Sequence, residues 1–241
     1  FFGESTDAEL SCLYHGGSHG SFTEVASSMG LTQPTMPMGA NFGDLDNDGY
    51  PDFYLGTGYP NYEGVVPNFM YWNRGGTQFT DVTFAGGFGH LQKGHGVTFA
   101  DFDDDGDQDV FEQMGGVFPG DGFGDVLFEN PGFGNRWIKV RLVGVQSNRF
   151  GIGARIRADI VEDGRPRSVY RWLNAGGSFG ENPLRVEIGL GRAERVEALE
   201  VYWPTSATTQ TFRDLAVDCA VEITEFAESP RSLPVPTPGE Q

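Results

Sequence analysis

The chain has 241 residues, of which 36 are glycine, and its 34 acidic and 16 basic side chains give a formal charge of −18. So acidic a surface opposes phosphate binding and argues against a nucleic-acid partner. No apolar run approaches the ~20 residues that span a bilayer as a helix, and the length suits two modest domains, each with a real core.

The chain opens at Phe1, without methionine or a signal peptide, which reads as a mature or clipped product. Leu13-Tyr14 and Phe22-Thr-Glu-Val25 follow, short and glycine-bounded. They return 57 residues later as Met70-Tyr71 and Phe79-Thr-Asp-Val82, and Leu127-Phe128 repeats the first pair once more. Two full repeats, 13–69 and 70–126, and the opening of a third are therefore written into residues 1–135. A period of this length with several short strands and glycine turns per unit predicts propeller-type blades in an all-β fold. Two blades do not close a propeller, so the array is incomplete.

Within each repeat lies an acidic loop, Asp44-Leu-Asp-Asn-Asp-Gly-Tyr-Pro-Asp52 and Asp101-Phe-Asp-Asp-Asp-Gly-Asp-Gln-Asp109. Carboxylates occupy loop positions 1, 3, 5 and 9, and glycine occupies position 6, where the backbone must turn. Side chains converging from such a turn form a hard-oxygen cage suited to Ca²⁺, and without a cation they would repel one another. One ion is expected at Asp44, Asp46, Asp48 and Asp52 with the Tyr50 carbonyl. A second is expected at Asp101, Asp103, Asp105 and Asp109 with the Asp107 carbonyl. Both are expected to be structural, because carboxylates saturate the ligand sets.

An EF-hand reading fails on context. Position 12 is Leu55 in the first loop, though Glu112 stands there in the second, and the flanks are aromatic and β-branched strands rather than amphipathic helices. The loops resemble the FG-GAP/VCBS type of repeat of integrin-like propellers. Asn41-Phe-Gly-Asp44 or Thr98-Phe-Ala-Asp101 leads into each loop, and Tyr71-Trp-Asn73 and Phe79-Thr-Asp-Val82 form the strand pair. The resemblance, over about residues 10–135, implies Ca²⁺ held between strands of one blade.

From residue 136 the texture changes. Ile138, Val140 and Leu142 alternate with Trp137, Lys139 and Arg141, and similar alternation runs through 154–160, 184–188 and 221–224. Glu162-Asp-Gly-Arg165 is a hairpin-type turn. One-sided antiparallel sheets are expected, hence a small β-sandwich over 136–226 with arginines paired along its strand faces. Asn135-Arg-Trp137, Leu142-Val-Gly144, Ser147-Asn-Arg149, Gly151-Ile-Gly-Ala-Arg155, Ile188-Gly-Leu-Gly191 and Val201-Tyr-Trp-Pro204 resemble the ASPIC/UnbV domain, which follows FG-GAP/VCBS repeats in cartilage-acidic-protein-like proteins. Thr205-Ser206 departs from the Ser-Gly usual there. Residues 227–241 read as an extended proline-rich tail with no core to join.

Charge follows the same boundary. Residues 1–135 carry 20 acidic and 2 basic side chains, 136–214 carry 13 basic and 9 acidic, and 215–241 carry 1 basic and 5 acidic. Cys12 and Cys219 would form one bridge in an oxidising compartment, the alternative being two separate buried thiols. His15, His19, His90 and His95 fall in no metalloprotease motif, and Ser18 and Ser21 in no nucleophile elbow. Glu112 and Asp121 do not stand out as a catalytic pair among so many carboxylates. Tyr59, Tyr62, Tyr71, Phe118 and Phe123 would either line a sugar site or pack blade on blade. The expected function is a non-catalytic, calcium-stabilised interaction or scaffold module outside the cytoplasm, meeting a protein partner, its own copies or a membrane-anchored complex. The alternative is a carbohydrate-binding or carbohydrate-active protein.

Overall fold

The computed structural model describes residues 10–58 and 65–235. Tyr59 and Tyr62 lie outside them. Among the described residues the fold is all-β apart from one short 3₁₀ turn at Ser18–Gly20.

The repeat half contains three β units. β1 (Tyr14–Gly16) and β2 (Phe22–Glu24) form an isolated antiparallel ribbon. β3 (Pro37–Gly43), β4 (Asp52–Thr57), β5 (Phe69–Asn73) and β6 (Phe79–Asp81) form a four-stranded antiparallel meander. β7 (Gly94–Ala100), β8 (Asp109–Met114) and β9 (Val126–Phe128) repeat the first three strands of that meander, 57 residues on. The ribbon therefore corresponds to the third and fourth strands of a blade and the last sheet to the first three. The stack is arranged like part of a β-propeller.

Side-chain alternation explains why β4 is buried on both faces. Phe53, Leu55, Phe69, Tyr71 and Phe79 meet Leu13, Met29 and Leu31 from the ribbon side. Tyr54 and Met70 point the other way, onto Val97, Phe99 and Val110 of the next sheet. Gly43 sits where the blades touch, since a Cβ there would lie 2.1 Å from the Phe99 ring.

The C-terminal half is a sandwich of two four-stranded sheets around one core that is aliphatic apart from Trp203 and Phe212. One sheet has the order β13 (Arg185–Gly191), β10 (Arg136–Val143), β16 (Cys219–Thr224), β17 (Arg231–Leu233). The other runs β12 (Arg165–Trp172), β11 (Arg155–Glu162), β14 (Arg195–Trp203), β15 (Thr208–Ala216). The turn between β11 and β12 places Asp163 and Gly164 at φ 50° and 74°, as a two-residue hairpin of the primed type requires.

Three expectations are corrected. β10 and β16 pair in parallel, so the sandwich is not wholly antiparallel. The tail begins later than expected, because Arg231–Leu233 adds a strand at the edge of β16 and Arg231 pairs with Glu222 at 2.7 Å. Cys12 and Cys219 are both free thiols: the first is exposed ahead of β1, while the second opens β16 and donates to the Ala216 carbonyl at 3.2 Å.

Candidate metal centre

The two acidic loops, residues 44–52 and 101–109, connect β3 to β4 and β7 to β8, and five hydrogen bonds from backbone amides to their carboxylates match atom for atom. At position 1, Oδ2 of Asp44 accepts from the Gly49 amide at 3.0 Å and Oδ2 of Asp101 from the Gly106 amide at 2.7 Å. At position 3, Oδ1 of Asp46 and of Asp103 accepts from the amides of Asp48 and Asp105 at 3.3 and 3.2 Å. At position 5, Oδ1 of Asp48 and of Asp105 accepts from the amides of Tyr50 and Asp107 at 2.8 and 2.9 Å. Position 9 ties the loop to its blade. Asp52 accepts from Leu45 and Asn73, and Asp109 from Phe102 and Asn130, all between 2.7 and 2.9 Å. Gly49 and Gly106 have φ of 93° and 106°, which a side chain would resist.

Carboxylate oxygens of Asp44, Asp46 and Asp48 lie within 4.8 Å of one another, as do those of Asp101, Asp103 and Asp109. Asp52 and Asp105 fall outside these tightest groups, and the Asp107 carboxylate instead accepts from Nδ2 of Asn47 at 2.8 Å. Tyr50 lies at the rim, 5.6 Å from the Arg167 guanidinium. In both loops the same atom, Oδ1 of the position-1 aspartate, is buried with no hydrogen-bond partner among the described residues. An orphaned anionic oxygen in such a place is costly, and a cation bound by it would relieve the cost. The donor set fits a hard divalent ion.

Burial pushes the carboxyls up: Asp44 to about 6 despite the opposing pull of Arg171, Asp48 to about 7 and Asp52 to about 8 despite amide hydrogen bonds that pull down. Asp107 rises to about 6 for the same reason, helped by the neighbouring Asp105 charge.

The surroundings of the loops were not foreseen from the sequence. Arg171 Nη2 pairs with Asp44 Oδ2 at 2.6 Å and Nη1 donates to the Gly49 carbonyl, while Arg167 donates to the Asp48 carbonyl at 2.8 Å. At the second loop, buried Lys139 pairs with Asp101, and Arg185 pairs with Asp104 at 3.1 Å. The Gly191 amide donates to the Asn47 carbonyl at 2.8 Å. Strand-face pairs such as Arg157–Glu200 and Arg195–Glu197 exist as expected. Yet the sandwich also turns a basic edge onto both loops, so these lie between the two halves of the molecule. A run of alternating arginines was the only sequence signal for that edge.

The other candidates disperse into packing. Glu112 is buried on β8, accepting from the Tyr54 hydroxyl at 2.8 Å, and Asp121 pairs with Lys93 at 2.6 Å. His90 packs edge-on against Phe128 and His95 against Phe179, while His15 and His19 stand in and beside the exposed ribbon. Tyr71 is stacked on Phe53 between blades, Phe118 lies under Lys93, and Phe123 is exposed.

The molecule is thus an all-β protein in which a propeller-like repeat unit is docked on a β-sandwich. Residues 144–230 of the sandwich match the family model described as ASPIC and UnbV. No curated protein matches the chain.

Proposed function

We propose that the chain is a non-catalytic interaction module stabilised by two Ca²⁺ ions, working outside the cytoplasm, where external calcium keeps weak sites filled. The observation that carries this reading is the doubled orphan: among the described residues, equivalent buried oxygens of Asp44 and Asp101 lack partners in two loops that share the same five carboxylate-accepted hydrogen bonds from backbone amides. Asp44, Asp46, Asp48 and Asp52 would hold one ion and Asp101, Asp103, Asp105 and Asp109 the other, with the Tyr50 and Asp107 carbonyls. The FG-GAP/VCBS resemblance of these loops supports the same reading. When bound, each ion would supply charge neutralisation; Lys139 and Arg171 supply part of it already. The protein's own residues order the loop and hold the sandwich against it. A protein partner, a second copy or a membrane-anchored complex is the expected company.

Metal analysis of protein prepared without chelator should find two calcium ions per chain. Asp103→Ala should remove one, lowering Tm in calcium while changing little in EGTA, because binding to the native state alone is what raises stability. Folded protein that carries no calcium and melts identically with and without it would overturn the reading.

A carbohydrate ligand is the second reading. A groove of about 340 Å³ on the outer face of the β12-β11-β14-β15 sheet is lined by Tyr170, Trp172 and Tyr202 with Arg155, Arg157 and Glu200. Tyr170 and Trp172 are exposed, and the Arg155 guanidinium lies 4.5 Å from the Tyr202 ring centroid. Such faces stack sugars as readily as peptides. A glycan array with wild type and Trp172→Ala, each with and without EGTA, separates the two readings.

A further inference from the structure

Two cations of the sandwich reach the same atom of the two loops by unrelated routes. Arg171 comes from β12 and Lys139 from β10, strands that belong to different sheets. Arg171 pairs with Oδ2 of Asp44 at 2.6 Å, and Lys139 pairs with Oδ2 of Asp101, the equivalent oxygen one period on. That oxygen also accepts the glycine amide that closes its loop. Oδ1 of each of these carboxylates is buried with no hydrogen-bond partner among the described residues. The position-1 carboxylate is thus divided. One oxygen goes to the sandwich, and the other is left for an ion.

Neighbouring arginines reach the loops differently. Arg167 and Arg185 donate to the carbonyls of Asp48 and Asp101, and their carboxylate partners are Glu162 for the first and Glu187 and Asp104 for the second, none of them an expected ligand. Arg171 and Lys139 place their charge on a carboxylate of the ligand set itself. Their side chains are 14% and 2% exposed, so little water screens that charge. A side-chain cation and a metal ion that share one carboxylate repel each other. The same cation steadies the loop when no ion is bound.

We propose that Lys139 and Arg171 are tethered competitors of the metal, each setting the calcium affinity of one loop. The proposal rests on the calcium reading above and adds the residues that hold the affinity down. Each cation stabilises the ion-free loop and opposes the ion, so one substitution must move stability and affinity in opposite senses. Loss of the Lys139 charge should tighten the second site ~10-fold or more, with a smaller effect on the first. Loss of the Arg171 charge should do the converse.

Calorimetric calcium titration of the full chain tests this in two single-site backgrounds. Asp46→Ala leaves the second loop to be read alone, and Asp103→Ala leaves the first. Lys139→Met should lower Kd in the Asp46→Ala background far more than in the other, and Arg171→Met should reverse that order. Lys139→Arg keeps the charge and should keep Kd near that of its background, which separates charge from shape. Urea unfolding should show both Met variants weakened in EGTA, with the deficit shrinking in saturating calcium. Calcium uptake whose Kd neither Met variant lowers overturns the proposal and leaves the metal reading standing. Equal tightening of both loops by either substitution overturns it too, since that is a general effect of net charge. Failure of both Met variants to fold even in saturating calcium also counts against it, because an ion should replace what a competitor supplied. Wild type that takes up no calcium overturns the metal reading, and the proposal with it.

Discussion

Glu112 sits at the position where an EF-hand places its bidentate ligand, and strand β8 takes it elsewhere. Its Oε2 accepts the Tyr54 hydroxyl, its Oε1 is buried without a partner, and burial pushes its pKa up to about 7 against the downward pull of that hydrogen bond. The folded value lies above the unfolded one of about 4.3, so the unfolded chain releases this proton first. Stability is fully present below the unfolded value and is lost as pH rises from there through 7. Glu112→Gln should therefore leave stability near pH 4 unchanged and raise it at pH 8, by up to about 3 kcal/mol. Urea unfolding of both proteins at the two pH values, at one fixed calcium concentration, measures it. Equal differences at both pH values would mean that Glu112 is not the titrating group.

At the scale of elements, the first acidic loop is fixed by what strand β13 allows. A Cβ on Gly189 would lie 2.4 Å from the Asn47 carbonyl carbon and 2.4 Å from Asp44 Oδ2, so the strand can approach the loop only as glycine. Gly189→Ala should cost about 2 kcal/mol or more through overpacking that backbone cannot relieve. Gly124→Ala, with no atom within 4 Å of the new methyl, should cost little. A comparison of their Tm values checks this. The loops and blade strands were legible in the sequence because carboxylate spacing and the 57-residue register are local and written twice. The basic edge of Lys139, Arg171 and Arg185 was not, because alternation tells which side of a strand a residue takes and nothing about what stands opposite. The same limit explains the parallel pairing of β10 with β16. Arg231–Leu233 is too short, and too close to prolines, to show any period, and two cysteines reveal a compartment's chemistry but not whether their strands meet.

The whole molecule joins an acidic half of net −18 to a sandwich whose residues 136–214 carry +4, with the loops at the seam. Two sources of counter-charge can serve those carboxylates, the sandwich's own cations and the proposed calcium ions. Lys139 is 2% exposed and Arg171 14%, so these pairs lie in low-dielectric surroundings where an unmatched charge is expensive. The sandwich core of Ile138, Ile156, Leu199 and Ile223 is separate from the aromatic blade clusters and needs no ion. Removing calcium should then destabilise the repeat half far more than the sandwich. Calorimetry in millimolar calcium should show the halves melting in one transition. In EGTA a lower transition should appear ahead of the sandwich's own, and Arg171→Gln should lower it further by stripping Asp44 of its paired cation. A single transition at one temperature in both conditions would show that the loops hold their shape on the sandwich's cations alone.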